Sequence, residues 1–143
     1  MIALAIVLLI LLIVVALIDL KFRSIPAFFL TGIILTVALT HFYDFNVGLI
    51  SLAMGTLAFI YARALYEIEF IGGLADVKVM AIIGLMINSI QMFFTFMLLV
   101  VLFGMAYKLT FRYILKRKDN EEIPFILCLF FVYLTLFLIG GVA

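Results

Sequence analysis

The chain has 143 residues, 70% of them hydrophobic and only 12% charged, with a mean hydropathy of +1.50. A soluble domain averages roughly 45–50% apolar and about 25% charged residues, so this chain cannot hide its apolar surface within itself and its solvent must be lipid. Nine basic against eight acidic residues leave a net charge of +1, which gives no support to a nucleic-acid partner, and the single cysteine, Cys128, excludes an intramolecular disulfide and a CxxC metal site.

Residues 1–18 carry no charge, and about 20 apolar residues span a bilayer core. The basic residues Lys21 and Arg23 follow this run instead of preceding it, so it reads as a retained first helix and not as a cleavable signal peptide. A second uncharged stretch covers 24–43, with Pro26 near its start; proline suits a first helical turn, where its missing N–H has no intrahelical partner anyway. The third stretch, 45–62, places Ser51, Gly55, Ala58 and Ala62 at helical spacing. Small residues so placed let two backbones approach closely in a bilayer, so the stripe reads as packing.

Residues 79–107 form the next uncharged run, twenty-nine long. As one helix it would measure about 43 Å at 1.5 Å per residue, well beyond the ~30 Å hydrocarbon core. The polar cluster Asn88, Ser89 and Gln91 marks a turn near its middle. The fourth helix then starts near Phe70, behind the glycine pair Gly72-Gly73, and carries Asp76 and Lys78 in its first turns. A last uncharged stretch, 125–143, is launched by Pro124.

Charge distribution chooses between five and six spans. With six, Lys21, Arg23, Arg63, Lys78, Lys108, Arg112, Lys116, Arg117 and Lys118 lie on one side, and the loops around Asp44 and Asn88 on the other side hold no Lys or Arg. With five, the basic residues split four against five. Because positive residues collect on the cytoplasmic side, the expectation is an all-α, polytopic membrane protein of about six transmembrane helices. It forms a single domain over 1–143 with no soluble domain beside it, both termini outside, and 108–122 as its largest cytoplasmic loop.

Two carboxylates stand out. Asp19 ends the first span, where a helix C-terminus disfavours negative charge. Asp76 lies among apolar residues at membrane depth, where ionisable groups are rare and usually functional. Six spans put both at the cytoplasmic ends of their helices, so they share a leaflet. Two close carboxylates share one proton and their pKa values split. The ionised member can then activate water while the protonated one polarises a carbonyl. Peptide hydrolysis also needs an extended substrate backbone, and Gly72 and Gly73 suit non-helical chain ahead of Asp76. Glu67 and Glu69 read as solvated charges at the cytoplasmic side of the fourth span. His41 reads as interfacial and Cys128 as packing. No metal spacing, phosphate loop or Ser/His arrangement is present, so neither metal nor cofactor is expected.

These residues resemble a known family. Asp19-Leu-Lys-Phe-Arg-Ser-Ile-Pro26 is similar to the first aspartate motif of the type IV prepilin peptidases, and Gly73-Leu-Ala-Asp76-Val-Lys78 to their second, Gly-x-Gly-Asp-x-Lys. Ile123-Pro-Phe125 resembles the segment opening a late helix there. The three occur in the family's order and cover nearly the whole chain. The resemblance implies a GxGD-type intramembrane aspartyl protease with Asp19 and Asp76 as its catalytic pair, cutting the short basic leaders of prepilins or archaeal preflagellins at the cytoplasmic face of the cell membrane. Pro26, Gly72, Gly73, Ala75 and Lys78 would support the two motifs. Ala75 replaces the second motif glycine, as in the Gly-Ala-Asp of archaeal relatives, and Ala27 follows Pro26 where bacterial members usually carry Asn. The cytoplasmic CxxC domain linked to N-methylation in larger bacterial members has no counterpart, nor has the Pro-Ala-Leu motif of presenilin-like proteases. A reading from another class is a small transporter or assembly subunit using Asp76 and Lys78 as an ion relay.

Overall fold

The computed structural model describes residues 2–22, 27–71, 73–114 and 125–140. Lipid supplies no hydrogen-bonding partner for the backbone, so apolar stretches of this composition close their own hydrogen bonds as helices. Six α-helices appear among the described residues: α1 (Ile2–Phe22), α2 (Ala27–His41), α3 (Phe45–Glu67), α4 (Leu74–Met86), α5 (Ile90–Leu109) and α6 (Ile126–Leu138). A π-helical turn, Thr110–Ile114, continues α5. Three helices are long and apolar enough to cross a membrane, over Ile2–Asp19, Phe45–Glu67 and Ile90–Tyr113. The all-α polytopic membrane class expected from the sequence is the one observed.

The break within the long uncharged run falls where the polar cluster marks it. α4 ends at Met86, Ile87 is extended, and Ser89 caps α5 by accepting from the Met92 amide at 3.3 Å. At the same end of the bundle Asp44 caps α3 by accepting from the Asn46 amide at 2.9 Å. Three boundaries differ from the charge gaps. α3 runs beyond Ala62 to Glu67, because Arg63 and Glu67 pair across one helical turn at 3.0 Å and leave the backbone undisturbed. α4 begins at Leu74 and not near Phe70, since Glu69 lies at φ +61° and Gly73 is extended, neither of them helical. α6 ends at Leu138, followed by Gly140 at φ +77°. The expectations for Pro26, Gly72, Pro124 and the basic and acidic residues of 115–124 lie outside the described residues.

α4 is the centre of the bundle. It packs against α3, α2 and α6, and every residue from Val79 to Ile87 is buried. Its 13 residues reach only about 20 Å at 1.5 Å per residue. A short helix with extended chain at both ends is tolerable at membrane depth when protein surrounds it. The α3 stripe does what its spacing suggests. Ser51, Gly55, Ala58 and Ala62 are buried, and a side chain at Gly84 of α4 would collide with the Ala58 side chain and the Met54 carbonyl. Backbone contact of this closeness replaces the hydrophobic driving force that lipid does not provide.

Buried polar atoms at the helix contacts find backbone acceptors. The Ser51 hydroxyl donates to the Leu85 carbonyl, Tyr61 to that of Met97 at 3.1 Å, and Tyr133 to that of Ala5 at 3.0 Å. These tie α3 to α4, α3 to α5 and α6 to α1. His41, the last residue of α2, is buried at 4% exposure. Its Nδ1 donates to the Val37 carbonyl at 2.8 Å, and its ring lines a cavity of about 100 Å³ with Ser51 and Asn88. The bonded ring nitrogen makes that burial tolerable.

Candidate active site

Asp76 sits in the opening turn of α4, three residues after the cap position at Gly73, and is buried at 7% exposure. The unpaired amides and the dipole at a helix N-terminus favour an anion there. Gly73 is extended at φ −143°, ψ 150°, which any residue can adopt. Its distinguishing property is space: a β carbon placed on it would lie 3.5 Å from Asp76 Oδ2, so its absence leaves that side of the carboxylate open. Cys128, in the first turn of α6, lies within electrostatic reach of Asp76.

Asp19 occupies the last turn of α1 and is half-buried. Chain connectivity directs Asp19 toward the end of the bundle at which α4 begins. Only four positions separate the last residue of α1 from the first of α2. Near its own start α2 meets α4, with Lys78 Nζ donating to Thr31 Oγ1 at 3.0 Å. α6 in turn packs against both α1 and α4. The described cations Lys21, Arg63, Lys78, Lys108 and Arg112 all fall toward this end, on or near the ends of their helices.

The remaining site residues divide. Ala75 is half-buried in the first turn of α4. Glu67 closes α3 in its ion pair with Arg63, and Glu69 stands exposed in the turn after it. Pro26 and Gly72 lie outside the described residues. Among the described residues no three His, Cys, Asp or Glu side chains converge as a metal site.

An apolar groove of about 390 Å³ runs between α5 and α6, lined by Phe103, Tyr107, Cys128 and Phe131 among others. Its two threonines, Thr110 and Thr135, donate to the carbonyls of Ala106 and Phe131 on their own helices, at 2.8 and 2.9 Å. The groove wall is therefore mainly hydrocarbon in character. Neither the groove nor the closeness of Cys128 to Asp76 has a signal in the sequence, where the two residues are 52 positions apart (128 − 76) in separate apolar stretches.

Chemically, the described residues offer one buried carboxylate at the start of α4, a second at the end of α1, and a turn over Ile68–Ile71 with an extended Gly73 ahead of the first. No curated protein and no solved structure matches the chain. A family model does match, over residues 6–109, and it describes the type IV leader peptidase family. The match takes in both aspartates and nearly all of α1 to α5, and the chain belongs to the type IV leader peptidase family.

Proposed function

We propose that this protein is an aspartyl endopeptidase of the cell membrane. It removes the short basic leader of prepilins or archaeal preflagellins at the cytoplasmic face, with Asp19 and Asp76 as its catalytic pair. Membership of a leader peptidase family makes it a membrane peptidase for prepilin-type substrates. The observation that supports the finer reading is the burial of Asp76 in the opening turn of α4.

In this reading one carboxylate is ionised and takes a proton from a water molecule, whose oxygen attacks the scissile carbonyl carbon. The other is protonated and donates to the carbonyl oxygen as negative charge develops there. Proton return to the amide nitrogen lets the amine leave. The cations gathered at the aspartate end support a cytoplasmic orientation for it, and with six helices both termini then face outside. Extended chain ahead of Asp76 supports a site where a substrate segment can lie unwound next to the carboxylate.

The test is incubation of the purified full chain with prepilin and preflagellin substrates. A shortened product is expected from the wild type. Asp19→Asn and Asp76→Asn should each lose at least about 100-fold in turnover, because an amide can neither hold the shared proton nor activate water. Both variants should insert and unfold thermally like the wild type. Substantial cleavage by either variant removes that residue from the pair. A wild type that transports an ion and leaves every leader intact would favour the relay reading of Asp76 and Lys78.

A further inference from the structure

The chain that delivers Asp76 is held by a cation that takes no part in the proposed chemistry. Glu69 lies in the left-handed region at φ +61°. A residue with a β carbon persists there only where its surroundings hold it. Part of that hold is local: the amides of Glu69 and Phe70 donate back to the Tyr66 and Leu65 carbonyls at 3.0 and 2.9 Å, wrapping the turn onto the end of α3. The rest comes from α5. Lys108 Nζ reaches the Glu69 carbonyl at 3.4 Å, and the same ammonium lies 4.5 Å above the centre of the Phe70 ring.

Phe70 passes the constraint on. It meets Phe125 edge to face at 6.1 Å, and a β carbon on Gly104 of α5 would fall 2.8 Å from the Phe70 ring and 3.1 Å from Phe125. Both rings therefore occupy the space left by the missing side chain. Phe70 stands six residues before Asp76, and Phe125 three residues before Cys128. This one junction therefore joins the chain segment leading into α4 to the start of α6. A lysine near a membrane interface ordinarily extends its ammonium toward water; here it is spent on a ring face and a carbonyl of the α3–α4 turn.

We propose that Lys108 is a positioning residue for Asp76, locking the Glu69–Phe70 turn onto α5 through the carbonyl contact and the cation–π contact. The assignment rests on the reading of Asp76 as catalytic, whereas the lock itself does not. A misplacement of about 1 Å can cost on the order of 100-fold in rate, so the position of this turn matters even though Lys108 touches no substrate.

Two readouts on the full chain in liposomes test this. In leader cleavage, Lys108→Met should lower kcat about tenfold or more and leave KM nearly unchanged. Lys108→Arg should recover to within about threefold of the wild type, since a guanidinium keeps both the donors and the cation over the ring. In the second readout a glutamate-specific protease is applied to the intact protein. Cutting after Glu67 and Glu69 should be several-fold faster in Lys108→Met, on the order expected for a locally opened turn, and not in Lys108→Arg. Should Lys108→Met fail to insert, Phe70→Leu takes its place with the same expected result, because it keeps apolar volume and removes the ring face. Wild-type kcat in Lys108→Met, equal damage in the Met and Arg variants, or unchanged protease cutting would each overturn the proposal. If the wild type cleaves no leader, the peptidase reading fails, and the protease readout alone then decides whether the lock exists.

Discussion

Lys78 on α4 donates to Thr31 on α2 at 3.0 Å, two residues beyond Asp76 along the chain. This bond joins the helix of the buried aspartate to the helix that follows Asp19's helix in the chain. It gives Lys78 work in register, holding the starts of α2 and α4 level with each other. Such a role differs in magnitude from one in the chemistry. A net hydrogen bond is worth about 0.5–1.5 kcal/mol, or roughly two- to tenfold in a rate that depends on it fully. Lys78→Met and Thr31→Val should therefore each cost leader cleavage less than about tenfold, and the double variant no more than the worse single one. Loss from Lys78→Met as complete as from Asp76→Asn would assign Lys78 to proton or ion chemistry instead.

Gly73 separates size from backbone freedom. Its extended conformation accepts any residue, and a β carbon there meets Asp76 Oδ2 at an ordinary 3.5 Å. Gly73→Ala should keep most of the activity. The extra methyl groups of Gly73→Val reach into the open side of the carboxylate and should cut turnover about tenfold or more, with expression and membrane insertion unchanged. Assays of product formation beside immunoblots of the membrane fraction distinguish the two. Wild-type turnover in Gly73→Val would mean that this side of Asp76 serves no substrate or water.

Orientation is open to chemical labelling. The native thiol, Cys128, is buried, so introduced cysteines can be read against a quiet background. Cysteines at Asn46 and at Asn88, both exposed, should react with an impermeant maleimide added outside the cell. Asn88 is preferable to its neighbour Ser89, whose hydroxyl caps α5. A cysteine at Asn120 should react only after the cytoplasm is opened. External labelling at Asn120 would invert the proposed orientation and move the aspartates to the outer face.

Glu67 and Glu69 test whether the site reads the charge of a leader. Glu67 is already paired with Arg63, so Glu69, exposed and outside the helix, is the stronger candidate. Glu69→Lys should raise KM for a basic leader more than Glu67→Lys does. Neither should change KM for a leader stripped of its basic residues. The difference should shrink in high salt, as the screening length falls below the roughly 8–10 Å of physiological solutions. Equal effects on basic and neutral leaders would show that these carboxylates do not sense leader charge.

Much of the architecture is legible along the chain. Uniform hydrophobicity dictates helices, since lipid cannot satisfy an open backbone. The gaps between charges count them, and the polar Asn88–Ser89 step marks a break that the apolar run around it hides. The small-residue stripe of α3 announces a close helix contact, and Asp19 and Asp76 stand out because carboxylates are costly where they occur. What the chain order does not carry is which helix covers which. These helices are apolar on every face, so hydropathy has no preferred side to point inward, and partner choice falls to shape. The fit of Gly84 against Ala58 makes α4 the buried centre. Only the folded bundle sets Cys128 next to Asp76, encloses His41, and turns Lys108 onto Phe70. Each of those arrangements brings together residues far apart in the chain, and in lipid such pairings are selected by steric complementarity and local hydrogen bonds, which no single stretch of sequence records.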